Sequence, residues 1–126
     1  MQIPSTRKLA TRGGDGFIRL IEQEMPHLTN GTVLVKVHAS LVSPGTELSG
    51  WHAYRAKQQN PDATASHKPF GYSNAGVVVA VADDVAEYKV GDRVACIGGG
   101  FALHTDYALV PHNLCIALPD QVTYDQ

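Results

Sequence analysis

A chain of 126 residues with 44% hydrophobic and 17% charged side chains is sized and composed for one globular domain with a modest core. Its formal net charge of −2, with lysines and arginines scattered, leaves no electrostatic footprint for nucleic acid or an anionic membrane. The longest apolar run, Ala75 to Ala82, is too short to span a bilayer, and the N-terminus lacks the apolar stretch of a signal peptide, so a cytoplasmic location is expected.

Two short extended segments, 6–11 and 17–24, flank the turn cluster Gly13-Gly14-Asp15-Gly16. Asn30-Gly31 is a second turn and opens a strand over 32–42. There Val33, Val35, Val37 and Ala39 alternate with Leu34, Lys36, His38 and Ser40, the period of a strand with one apolar face. Ser43-Pro44 then reads as a helix start, because serine caps and proline suits the first turn. The helix is predicted over 46–59 and ends at Asn60-Pro61-Asp62, followed by a polar loop over 62–68. A strand over 76–82, an Asp83-Asp84 turn, a tight turn at Lys89-Val-Gly91-Asp92 and a strand over 94–97 come next. Extended segments over 104–110 and 114–118 complete a mainly β chain with one or two short helices, the pattern of a small barrel or sandwich. Gly71 and Gly76 mark places where the backbone passes close to other chain or to ligand. Cys96 and Cys115 form no CxxC pair and read as buried free thiols, and no cluster of four ligands suits a structural zinc.

Three stretches carry a resemblance. They are Thr32-Val-Leu-Val-Lys-Val-His-Ala39, Gly71-Tyr-Ser-Asn-Ala-Gly76-Val-Val-Val-Ala-Val, and Tyr88-Lys-Val-Gly-Asp-Arg-Val94 with Phe101-Ala, Tyr107-Ala-Leu-Val-Pro111 and Ala117-Leu-Pro-Asp120 behind it. In this order, over 31–120, they resemble the GroES-like N-terminal domain of the medium-chain dehydrogenase/reductase superfamily. The resemblance implies a GroES-like, partly open β-barrel over residues 1–126 that binds a small-molecule alcohol, polyol or carbonyl substrate. It also implies NAD or NADP as cofactor, held by a Rossmann domain absent from this chain, and a homo-oligomeric full-length enzyme. Gly98-Gly99-Gly100 fails the spacing of a dinucleotide-binding turn and reads as a loop. The isolated chain is accordingly expected to be inactive, to expose apolar surface and to self-associate.

The chain departs from the zinc enzymes of that superfamily. Val42-Ser-Pro-Gly-Thr-Glu-Leu48 lacks their ligand cysteine, and Gly71-Tyr72-Ser73 stands where they carry Gly-His-Glu. This resembles a zinc-free subgroup, so no metal is expected and a carbonyl must be polarised by hydrogen-bond donors or protonated by a side chain. The resemblance implies Tyr72 as that donor, Thr46 as a proton-relaying hydroxyl and Glu47 as a supporting carboxylate, with Ser43, Trp51, Ser73 and His104 lining the substrate. Each has a plainer reading: Tyr72 and Trp51 as core aromatics, Thr46 and Glu47 as helix N-terminal residues favoured by the dipole. His67 reads as a solvated loop histidine, and His27, His38 and His112 have no constellation around them. A stand-alone co-chaperonin-like, protein-binding module is the rival, although the polar 60–67 stretch and the helix with Trp51 do not suit it. A quinone-reductase-like enzyme is a third possibility, from which Gly-Tyr-Ser sets the chain somewhat apart.

Overall fold

The computed structural model describes residues 2–14, 16–48 and 67–126. Among the described residues eight strands follow in chain order: β1 (Thr6–Gly13), β2 (Ile18–Glu24), β3 (Thr32–Ser40), β4 (His67–Pro69), β5 (Ser73–Val81), β6 (Arg93–Ile97), β7 (Tyr107–Pro111) and β8 (Cys115–Ala117). A 3-10 turn at His112–Leu114 joins the last two. The strands form a three-stranded sheet, β2-β1-β4, and a five-stranded sheet, β7-β3-β5-β6-β8. All pairings are antiparallel, and the larger sheet ends at β7 and β8, so the barrel is partly open.

The core follows from β3. Its Val33 and Val35 are fully buried with Val78, Val94 and Val110 from its neighbours, and each such valine contributes about 1.5–3 kcal/mol by leaving water. The opposite face is polar only near its C-terminal end. Leu34 is buried in a second cluster with Met25, Val79 and Tyr107, whereas Lys36, His38 and Ser40 are exposed. β3 and β5 approach so closely that a Cβ at Gly76 would lie 2.0 Å from the Lys36 carbonyl oxygen. The reading of Gly76 as a close-approach glycine holds.

Three expectations need correction. The polar loop expected over 62–68 ends in strand, since His67–Pro69 pairs with Thr11–Gly13 of β1; three residues are too few to show a period. The final residues 119–126, beyond the last expected extended segment, fold back as turns. Arg93 donates to the Pro119 and Val122 carbonyls, and its guanidinium stands 4.7 Å from the Tyr124 ring centre. That ring stacks on His38 at 4.5 Å, and His112 donates from Nδ1 to Glu87, so two histidines expected to stand alone have partners. Of the helix predicted over 46–59, the described part is a single helical stretch at 44–48. The remainder, including Trp51, lies outside the described residues.

The connection between β6 and β7 bridges the two sheets and positions the site. Among the described residues β4 pairs with the end of β1, and the edge it leaves at Lys8–Ala10 is taken by residues 104–106. The Ala10 N–H donates to the His104 carbonyl at 2.9 Å, and the Asp106 N–H donates to Lys8 at 3.2 Å. The chain then enters β7 of the larger sheet directly.

Candidate active site

The site gathers at that junction. Ser43 begins a helical turn in which its carbonyl accepts the Glu47 N–H at 2.9 Å. Pro44 sits in the first turn, where a missing N–H costs nothing. This turn brings Glu47 back towards β1 and the 104–106 connection. His104 is held by its backbone on both sides: its carbonyl accepts from Ala10, and its N–H donates to the Phe70 carbonyl at 3.0 Å. Gly71, with φ of 109°, lets the chain pass His104; a Cβ there would be 2.7 Å from the His104 nitrogen. The Phe70 ring meets the imidazole edge to face at 5.0 Å.

Both imidazole nitrogens are engaged. Nδ1 lies 2.7 Å from Ser40 Oγ, and Nε2 lies 2.6 Å from Glu47 Oε1. An ionised carboxylate only accepts, so Nε2 carries the hydrogen facing Glu47. Neutral His104 then accepts from the Ser40 hydroxyl, and the imidazolium donates to it. The pair is largely shielded, with side-chain exposures of 11% for His104 and 15% for Glu47. They lie at the polar end of a cavity of about 610 Å³. Ile18, Val42, Leu48 and Phe70 contribute apolar wall, and Arg12, over the Phe70 ring, adds a positive charge. Arg12 Nη1 also donates to the Glu47 backbone carbonyl at 3.5 Å. Such an arrangement can move a proton through a fixed imidazole into an apolar, partly water-excluded space.

Of the residues singled out in the sequence, the structure brings Glu47 and His104 together. Thr46 is exposed on the same helical stretch, and Ser43 is half-buried at its start. Tyr72 and Ser73 are half-buried, and their carbonyls accept the Gly98 and Leu41 N–H groups, each at 2.9 Å. Ser73 lines a second cavity, of about 340 Å³, with Asn74 and Tyr124. None of these four is among the described residues lining the larger cavity. Ser40, Arg12 and Phe70 went unread in the sequence as site residues. A weak signal existed for Ser40, the last polar residue of the β3 alternation, and none for the other two.

Among the described residues, no group of three or more His, Cys, Asp or Glu side chains could hold a metal ion. The two positions at which zinc enzymes of the superfamily supply ligands carry hydroxyls here, a poor donor set for zinc. Gly98–Gly100 forms a turn in which the Phe101 N–H returns to the Gly98 carbonyl at 3.2 Å, and no helix follows it to present a phosphate-binding N-terminus. No helix among the described residues is long and apolar enough to cross a membrane.

Comparison with known proteins places this geometry in context. The profile of the alcohol dehydrogenase GroES-like domain matches residues 29–120. A quinone oxidoreductase of Rattus norvegicus is 34% identical over 118 residues, covering 90% of this chain and 33% of that protein. A trans-enoyl reductase of Gibberella fujikuroi is 27% identical over 128 aligned positions, covering 97% of this chain and 34% of that protein. The chain thus spans about a third of the length of these curated relatives. Among solved structures, the 2-octenoyl-CoA carboxylase reductase CinF from Streptomyces, in complex with NADP and 2-octenoyl-CoA, superposes with a TM-score of 0.76 at 21% identity, over 99% of this chain and 40% of that one. An alcohol dehydrogenase superfamily protein from Novosphingobium aromaticivorans gives a TM-score of 0.74 at 27% identity, over 96% of this chain and 37% of that one.

Proposed function

The chain belongs to the alcohol dehydrogenase GroES-like domain family of the medium-chain dehydrogenases and reductases, and we propose that it is the substrate-side domain of an NAD(P)-dependent, zinc-independent oxidoreductase. Its substrate is an alcohol, polyol or carbonyl compound. The quinone oxidoreductase and enoyl reductase relatives favour the carbonyl side of that range, including quinones and conjugated enones. The same matches disfavour the co-chaperonin-like reading.

The observation that carries the proposal is His104 fixed between Ser40 and Glu47 at the polar end of an apolar cavity. A nicotinamide bound by a separate dinucleotide-binding domain outside residues 1–126 would supply or accept the hydride. The residues here do the rest. Arg12 and the Ser40 hydroxyl orient and polarise the substrate oxygen, and Glu47 holds the His104 imidazole in place. His104 exchanges a proton at Nδ1, through the Ser40 hydroxyl, as charge develops on that oxygen. Thr46, Tyr72, Ser43 and Ser73 remain candidates for contacts completed when the domains close around substrate. Residues 1–126 alone lack catalysis in this reading, and the full-length enzyme is a cytoplasmic homo-oligomer.

The test begins with the DNA downstream of codon 126. An in-frame Gly-x-Gly-x-x-Gly turn supports the proposal, and a stop codon behind an independent promoter favours a stand-alone module. In the encoded enzyme, Glu47→Gln and His104→Asn should each lower kcat by about 10²-fold or more with NADH or NADPH and a conjugated carbonyl. A chelator should leave the wild type unchanged. Full activity in both variants, or its loss on chelation, overturns the proposal.

A further inference from the structure

A second chemically competent cluster lies on the last two strands of the larger sheet, apart from the cavity. Cys96 of β6 and Cys115 of β8 are direct register partners in an antiparallel pair. Residues opposed in this way have Cα atoms about 4.5–5.5 Å apart, inside the range of about 4.4–6.8 Å that a disulfide bridges. Their sulfurs already stand 3.7 Å apart, and both are free thiols. Backbone movement is therefore not required for a bond between them; side-chain rotation suffices.

The two thiols have different surroundings, which gives the pair a direction. Cys96 is buried in the main core. Cys115 is half-exposed on β8, an edge strand of three residues that has β6 as its sheet partner. Its backbone carbonyl accepts the Tyr88 hydroxyl at 2.8 Å, which holds the strand in place. Hydrogen bonding and burial push the Cys96 thiol up, while the hydrogen bond from Cys96 draws the Cys115 thiol down. Cys115, the more exposed of the two, is therefore the thiol a small disulfide reaches first, and Cys96 stands behind it.

We propose that Cys96 and Cys115 form a dithiol site that low-molecular-weight disulfides oxidise to a bridge between β6 and β8. The Cys115 thiolate attacks one sulfur of the small disulfide, breaks its S–S bond and releases one small thiolate. Cys96 then loses its proton to solvent and attacks Cys115 Sγ in the mixed disulfide, releasing the second. The chain gives up two electrons and two protons, and the small disulfide is reduced to two thiols.

The test treats the folded chain with glutathione disulfide, quenches with acid, alkylates the remaining thiols and maps peptides by mass. The expected product is a chain lighter by two hydrogens, with no alkylated cysteine and one peptide pair joined through Cys96 and Cys115. Two alkylated cysteines, a persistent glutathione adduct or a bridge between two chains each overturns the proposal. The variant Cys96→Ser should halt at a glutathione adduct on Cys115, and its absence refutes Cys115 as the attacking thiol.

Discussion

Glycine at position 76 is set by the neighbouring strand, since a methyl group there would overlap the Lys36 backbone, which cannot swing aside as a side chain could. Gly76→Ala must push β3 and β5 apart or abandon their register, and overpacking of this kind costs about 1–3 kcal/mol. Gly45 offers the opposite case within the same chain. It lies in the helical stretch at 44–48 with nothing within 4 Å of an added Cβ. Gly45→Ala should stabilise by about 0.5–1 kcal/mol, because alanine loses less backbone freedom on folding. Denaturant titrations of the two variants should move the midpoint in opposite directions with unchanged slope. Equal shifts would remove the steric account. Both Gly71 and Gly76 were legible as close-approach glycines, but what they approach was not: the His104 backbone in one case, the Lys36 carbonyl in the other.

At the scale of elements, one end of the larger sheet is fastened by contacts among three connections. The 3-10 turn after β7 donates its His112 N–H to the Gly31 carbonyl, and Gly31 donates in turn to Asp84, both at 2.8 Å. The His112 imidazole donates to Glu87, and this hydrogen bond holds the Glu87 carboxyl below its usual range. A carboxyl whose pKa is lowered by folding stabilises fully above its unfolded value, here 4.5, and loses that contribution as pH falls through the lower folded value. The difference in melting temperature between wild type and Glu87→Gln should therefore be largest near neutral pH and shrink on acidification below that value. A difference that is constant or grows in acid would break the link to this carboxyl. β3 was legible because apolar, largely β-branched residues alternate along it, and β5 through its run of valines. β4 was not, being three residues recruited by an open edge of β1. The Glu47–His104 contact was hidden for a related reason. Its members lie 57 residues apart, and the connection that unites them pairs with β1 through backbone groups that leave no pattern in side-chain type. The opposed cysteines depended on strand register in the same way.

The molecule as a whole covers its apolar surface unevenly. The five-stranded sheet encloses the main core, whereas β2 presents Ile18 and Leu20 to solvent at 53% and 68% exposure, with Phe17 beside them at 66%. Leu41, Val42 and Leu48 are also more than half exposed where the chain leaves β3 for the helical stretch. Ile18, Val42 and Leu48 line the cavity that ends at His104, so this apolar surface and the candidate active site are continuous. In an enzyme of the proposed kind, such a surface is where substrate enters and where further protein would close over it. Left uncovered, contiguous apolar area of this sort drives association. Residues 1–126 purified alone should show concentration-dependent self-association in sedimentation velocity. Leu20→Lys, at an exposed position on edge strand β2, should weaken it while leaving the thermal transition within a few degrees of wild type. Leu20 pairs across the strands with Ala10, which lines the cavity and whose N–H holds the His104 carbonyl, so the variant also reports on the site from the face the two residues share. If association weakens and the transition holds, the apolar face is separable from the fold. If the chain stays monomeric at every concentration, the exposed side chains are too dispersed to form a sticky surface, and their continuity with the cavity has no consequence for assembly.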